Sequence, residues 1–136
     1  MDPAASDVYF HTPGVASVTW DQSARLVMVE WEGWADSNEF RELLEAEIKA
    51  LHQHRGTRVL ADCRQQKVIN PADQERANEE WLPRALAAGL QRFAVVLPKS
   101  GLAEMNIREA LDKAPGKLQV AYFATVEEAR SWIIQP

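Results

Sequence analysis

The sequence predicts a single α/β domain built on a mixed sheet, with an N-terminal β-hairpin followed by alternating helices and strands. Three observations carry that expectation. Two β-type runs separated by four polar residues open the chain, and amphipathic helical segments then alternate with short apolar runs. Turn and cap residues stand at nearly every junction. Strands alternating with helices imply a parallel portion, because a helical crossover brings the chain back in the same direction.

Residues 1–14 read as a loose N-terminal tail, small and polar through Asp7 and closing on the turn pair Pro13-Gly14, with residues 15–136 as the domain. Val15 to Trp20 and Arg25 to Glu32 form the hairpin around Asp21-Gln22-Ser23-Ala24. Leu26, Met28 and Glu30 share one face of the second run, and Val27, Val29 and Trp31 the other. Both faces of the sheet are therefore expected to be partly covered.

The first helix starts at Asp36, whose spacing to Glu39 is that of a capping box. Phe40, Leu43, Leu44, Ile48 and Leu51 place one apolar stripe toward the core, and Arg41, Glu42, Glu45 and Lys49 toward water. Gly56 stands at its end. Thr57 to Ala61 is a short buried strand leading to Asp62. Asn70-Pro71 opens the next helix as N-cap and first residue. Pro83 must bend or split that helix before Gly89, because it lacks an N–H and its ring crowds the carbonyl of residue 79.

Phe93 to Leu97 is a further strand, Pro98 to Gly101 a loop and Leu102 to Lys113 a weaker helix. Pro115-Gly116 breaks the chain before the strand Leu118 to Phe123. Thr125 and Glu128 then have capping-box spacing for a terminal helix, with Val126, Ala129 and Ile133 on one face. Phe40, Leu44, Ile48, Val59, Leu60, Val95 and Val96 are the expected core.

The composition narrows the function. With 136 residues, 46 % hydrophobic and 26 % charged, the chain can fold without a metal or disulfide. Fifteen basic against twenty acidic residues give a net charge of -5, which argues against nucleic acid as a partner. No apolar run approaches the ~20 residues of a transmembrane helix, and no basic-then-apolar leader opens the chain. One cysteine and three histidines are a poor set for zinc. A cytoplasmic domain without cofactor or metal is the expectation.

The candidate ligand site is Asp62, Cys63 and Arg64, at the carboxyl end of a parallel strand, where open α/β sheets place ligands. Arg64 can hold an anion, and its charge would lower the Cys63 thiol pKa. The alternative is that Asp62 caps local donors and Cys63 fills the core. Of the tryptophans at 20, 31, 34, 81 and 132, Trp34 and Trp81 are candidates for a shared ligand groove, the alternative being ordinary packing. His52 and His54, two apart, fall on different helix faces and do not form a metal pair. Lys99-Ser100-Gly101 lacks the glycines of a phosphate loop. Glu79 and Glu80, like Glu127 and Glu128, point apart. No catalytic set converges, so the expected protein is not an enzyme.

From Arg25 onward the chain resembles the STAS/SpoIIAA-like superfamily, in particular its small stand-alone bacterial branch of STAS/SEC14-like domains. The resemblance rests on Trp31-Glu32-Gly33, Leu60-Ala61-Asp62-Cys63-Arg64, Trp81-Leu82-Pro83-Arg84 and Gly89-Leu90-Gln91-Arg92. Ala94-Val95-Val96-Leu97-Pro98, Tyr122-Phe123, Glu127-Glu128-Ala129 and Trp132-Ile133 complete it. It implies a regulatory binding module acting by protein contact or small-ligand sensing. Anti-sigma-factor antagonists of this fold carry a phosphorylatable serine after the central strand. Here that place reads Asp62-Cys63-Arg64-Gln65-Gln66, with no Ser or Thr before Asn70, so the phosphoswitch does not carry over. Arg64 and Lys67 leave the loop electropositive, predicting weak anion binding that Arg64→Ala removes.

Two rival functions stand beside this one. The first is carriage of a small apolar or amphipathic ligand in the tryptophan groove; the second, weaker, is an enzyme using Cys63. The partner is a protein or a small ligand, and a homodimer is left open.

Overall fold

The computed structural model describes residues 7–114 and 116–136. The expectations for Met1 to Ser6 and for Pro115 lie outside the described residues. Three strands run antiparallel first: β1 (Asp7–Thr12), β2 (Ala16–Asp21) and β3 (Leu26–Trp31). β4 (Arg58–Asp62), β5 (Arg92–Val96) and β6 (Gln119–Phe123) continue the sheet in parallel, in the order β1-β2-β3-β4-β5-β6.

The strand β1 corrects the expected tail. Phe10 pairs with Val18 and Thr12 with Ala16, so Pro13-Gly14 is the turn of an additional hairpin, with Gly14 at φ +79°. A bulge between Val8 and Phe10 breaks the alternation by which sequence reads a strand.

Helix α1 (Ser37–His54) forms where its local chemistry demands. Asp36 accepts from the Glu39 N–H at 2.8 Å, and the Glu39 carboxylate accepts from the Asp36 N–H at 3.0 Å. Its buried face is Phe40, Leu43, Ala46, Glu47, Ala50 and Leu51. Leu44 and Ile48 are only half-buried, which corrects their place in the expected core. The two alanines let the helix axis lie close to the sheet, and the leucine and isoleucine are turned to its flank. Gly56 follows the helix for a packing reason, since a Cβ there would lie 2.7 Å from the Trp20 ring.

The segment after Asn70 is divided as Pro83 requires. Asn70 caps α2 (Pro71–Arg76), and α3 (Leu82–Ala87) carries the proline. Between them Ala77–Trp81 forms a π turn, in which the Leu82 N–H donates to the carbonyl of Ala77, five residues back. The wider turn falls just before the residue that has no N–H to give. Helix α4 (Gly101–Asp112) is capped by Ser100, and α5 (Val126–Ile133) by Thr125. Half of the expected second box is present: Thr125 accepts from the Glu128 N–H, while the Glu128 carboxylate accepts from the Thr125 hydroxyl instead.

The layers follow from the strand order. Parallel crossovers are right-handed, and successive strands are always added on the same side of the sheet, so α1, the α2–α3 segment and α4 all pack on one face. Beneath them lie Val27, Val29, Val59, Ala61, Phe93 and Val95. The other face carries Leu26, Met28, Leu60, Ala94 and Val96 under Ala129 and Ile133 of α5.

The loop leaving β3 is fixed tightly. The Glu32 and Gly33 N–H groups donate to the Val15 carbonyl at 2.9 and 3.2 Å, and a Cβ on Gly33 would lie 2.5 Å from the Gly14 oxygen. Gly33→Ala is expected to cost about 1–3 kcal/mol, since the obstacle is backbone and not a movable side chain. Urea denaturation checks this; an unchanged midpoint would mean that the two loops separate freely.

Candidate functional site

Strand alternation decides the fate of the Asp62-Cys63-Arg64 motif. The Cys63 N–H donates to the Val96 carbonyl at 2.9 Å, so the chain keeps its pleat one residue beyond β4. Cys63 therefore joins Ala61 in the helix-covered core, while Asp62 and Arg64 lie on the opposite side. The three residues do not form one site.

Arg64 is already engaged. Its Nε and Nη2 donate to the two Asp62 oxygens at 2.9 and 2.7 Å, and its backbone N–H donates to Oδ1 at 3.2 Å. The pair lines a shallow polar recess of about 360 Å³ with His11, Ser17, Glu30 and Glu32. Three carboxylates thus face one guanidinium, and the expected electropositive character of this place is corrected. Arg64 is more than half exposed, so its pair with Asp62 adds little stability.

Cys63 is buried, and its thiol is displaced in the direction opposite to that expected. Desolvation pushes its pKa well up, and the charges of Asp62 and Glu47 push it further. A thiol held protonated and out of contact with solvent is a poor nucleophile. We expect a disulfide reagent such as dithionitrobenzoate to label Cys63 at pH 8 only when denaturant unfolds the chain. Rapid stoichiometric labelling of the native protein would contradict this.

Trp34 and Trp81 are separated. Trp34 stands 54 % exposed on the β3–α1 loop. Trp81 is buried in the π turn, its Nε1 donating to the Leu44 carbonyl at 2.7 Å. Trp81 lines the two cavities beside α1 and Trp34 lines neither, which corrects the shared groove there. The Lys67 N–H donates to the Gly33 carbonyl at 3.0 Å and ties the loop after β4 to the loop that carries Trp34.

Of the histidines, His54 stacks on Trp20 with ring centroids 4.4 Å apart and lies 2.8 Å from the Tyr9 hydroxyl. It anchors β1 to α1. Among the described residues no group of three potential ligands could hold a metal ion, and no helix is long and apolar enough to cross a membrane.

One polar group was missed. Glu47 is only 3 % exposed on the inner face of α1, and its carboxyl lines a cavity of about 90 Å³ between the sheet, α1, the π turn and α4. Burial alone pushes its pKa up to about 8; no hydrogen bond or ion pair among the described residues offsets it. The signal was present in the spacing Leu43, Glu47, Leu51, three residues four apart on one helical row.

A strictly sequential mixed sheet with its crossover helices on one face, and no convergent catalytic group among the described residues, defines a small α/β module. The chain belongs to the SpoIIAA-like family, which it matches over residues 26–134. Its fold is similar to that of an uncharacterized protein of the DUF3478 family from Shewanella loihica PV-4, itself described as SpoIIAA-like. The TM-score is 0.59 at 13 % identity, covering 98 % of each chain. It is also similar to an anti-sigma factor antagonist from Mycobacterium paratuberculosis, with TM-score 0.50 and 11 % identity, again over 98 % of each chain. A search of the curated proteins finds no match.

Proposed function

We propose that this chain is a non-enzymatic regulatory module that acts by protein contact in the cytoplasm and lacks a serine phosphoswitch in its central loop. The observation that carries the reading is the presentation of Trp34. A large aromatic side chain stands more than half exposed on a loop held at Gly33 from two sides, by Val15 and by Lys67. A rigid exposed aromatic anchors an interface at small entropic cost. The neighbouring loop offers Lys67 and the Asp62–Arg64 pair as a polar rim. Family membership supports the reading, as does the fold it shares with a protein described as an anti-sigma factor antagonist. Residues 63–70 contain no Ser or Thr, so this loop itself offers no hydroxyl for phosphorylation.

The test is capture of a partner from cell extract by the wild type, by Trp34→Ala and by Ile134→Ala. Ile134 is a second exposed apolar residue, lying beyond α5 at the opposite end of the sheet. The reading expects a partner lost with Trp34→Ala and kept with Ile134→Ala. Equal capture by all three proteins would remove Trp34 from the contact. Sedimentation of the pure protein shows whether the partner is a second copy of the chain.

A further inference from the structure

The Glu47 cavity is not lined by Trp34, and its chemistry is independent of any protein contact at Trp34. Its walls are mainly apolar, from Val29 and Val95 of the sheet, Leu43 of α1 and Ile107 of α4. An ionisable carboxyl in such walls is costly to charge unless a partner enters. We propose that the cavity is a binding site for a small primary amine on a short apolar body, its ammonium group paired with the Glu47 carboxylate.

Three features fit that ligand. A cavity of 150 Å³ holds benzene, so the ~90 Å³ here accommodates about four non-hydrogen atoms. Polar acceptors are few but present. Gln74 and Asn78 line the space, and Asn78 uses its Nδ2 to reach the Ala110 carbonyl at 3.0 Å, while its Oδ1 has no hydrogen bond among the described residues and can accept from the ammonium. The net charge of -5 favours approach of a cation.

The route in is also marked. Phe40, Leu44, Ala77 and Trp81 line both the cavity and a recess of about 110 Å³ between α1 and the π turn, so the two spaces meet at these residues. Trp81 is held there by its hydrogen bond to Leu44, on a stretch of helix whose bonding is of the π and not the α type. π turns are a recurrent site of local adjustment in helices.

Binding is coupled to a proton. Free Glu47 is largely protonated at pH 7, so pairing with an ammonium releases its proton to solvent. Cys63 is the other titratable group lining the cavity; the groups contributed by β3, β5, α2, the π turn, α3 and α4 are neutral. Affinity for the amine therefore rises with pH toward about 8.

The experiment uses n-propylamine, 1-propanol and propionate as probes, followed by the NMR signals of the Trp81 indole N–H and the Ile107 methyl groups. The amine is expected to shift both, 1-propanol to shift them less, and propionate to leave them unchanged. In Glu47→Gln the amine should bind about tenfold or more weakly, as loss of a charged hydrogen bond predicts, with 1-propanol unaffected. In the wild type the amine should move the Glu47 titration from about 8 to lower pH, a readout that needs no variant. Equal affinity for amine and alcohol, unaltered in Glu47→Gln, would overturn the proposal and leave a merely apolar void. So would an unmoved Glu47 titration at saturating amine.

Discussion

Glu47→Gln is expected to stabilise the protein by about 3 kcal/mol at pH 7. The native carboxyl titrates at about 8, against an ordinary value of 4.5. Between those two values the folded chain holds a proton that the unfolded chain has released, so stability falls as pH rises through the interval. Below it both states are protonated and burial of the neutral acid costs little; above it both are ionised and the penalty reaches about 5 kcal/mol. Glutamine has nearly the same shape and no charge, so it removes the slope. Urea denaturation at pH 5, 7 and 9 should give a difference between variant and wild type that grows with pH. A constant difference would mean that titration of Glu47 is not its source.

The second large effect belongs to the same row of α1. Leu43→Ala should cost about 2–5 kcal/mol, and Leu44→Ala clearly less. Both line the Glu47 cavity, but Leu43 is 1 % exposed and loses a fully packed side chain, whereas Leu44 is half-buried on the flank and has less packing to lose. Truncating Leu43 does not create an isolated hole that neighbours can close. It enlarges an existing space, and the cost of a core truncation grows with the volume left empty. Equal losses for the two variants would restore Leu44 to the core and rotate the helix.

What the sequence made legible was local or periodic. The Asp36–Glu39 box, the Asn70-Pro71 start and the apolar strands at β4 and β5 rest on neighbours in the chain, and each is present. The proline break was legible as a break, but its resolution into a π turn depends on how Trp81 packs against Leu44. β1 was hidden because its bulge disrupts the two-residue period. The site was the least legible part. Grouping Asp62, Cys63 and Arg64 overlooked the pleat, which sends alternate side chains to opposite faces. Glu47 was hidden for another reason: a glutamate on an amphipathic helix is ordinarily solvated, and that expectation outweighed its place on the row between Leu43 and Leu51.

The strictly sequential strand order has a consequence for how the chain acquires its structure. Each strand finds its partner in the strand next to it along the chain, so no pairing must wait for a distant segment to arrive. The loop closed at each step is a short turn or a single crossover, and the entropy lost by closing it stays modest. Assembly can proceed by accretion, beginning from the β1–β2–β3 meander and adding one crossover at a time to the exposed edge. The average sequence separation of neighbours is then lower than in a parallel sheet with interleaved strand order, and faster folding than in such a sheet follows. Such a chain can also complete each addition as it leaves the ribosome. α5 comes last, closing over the face that the earlier helices left bare.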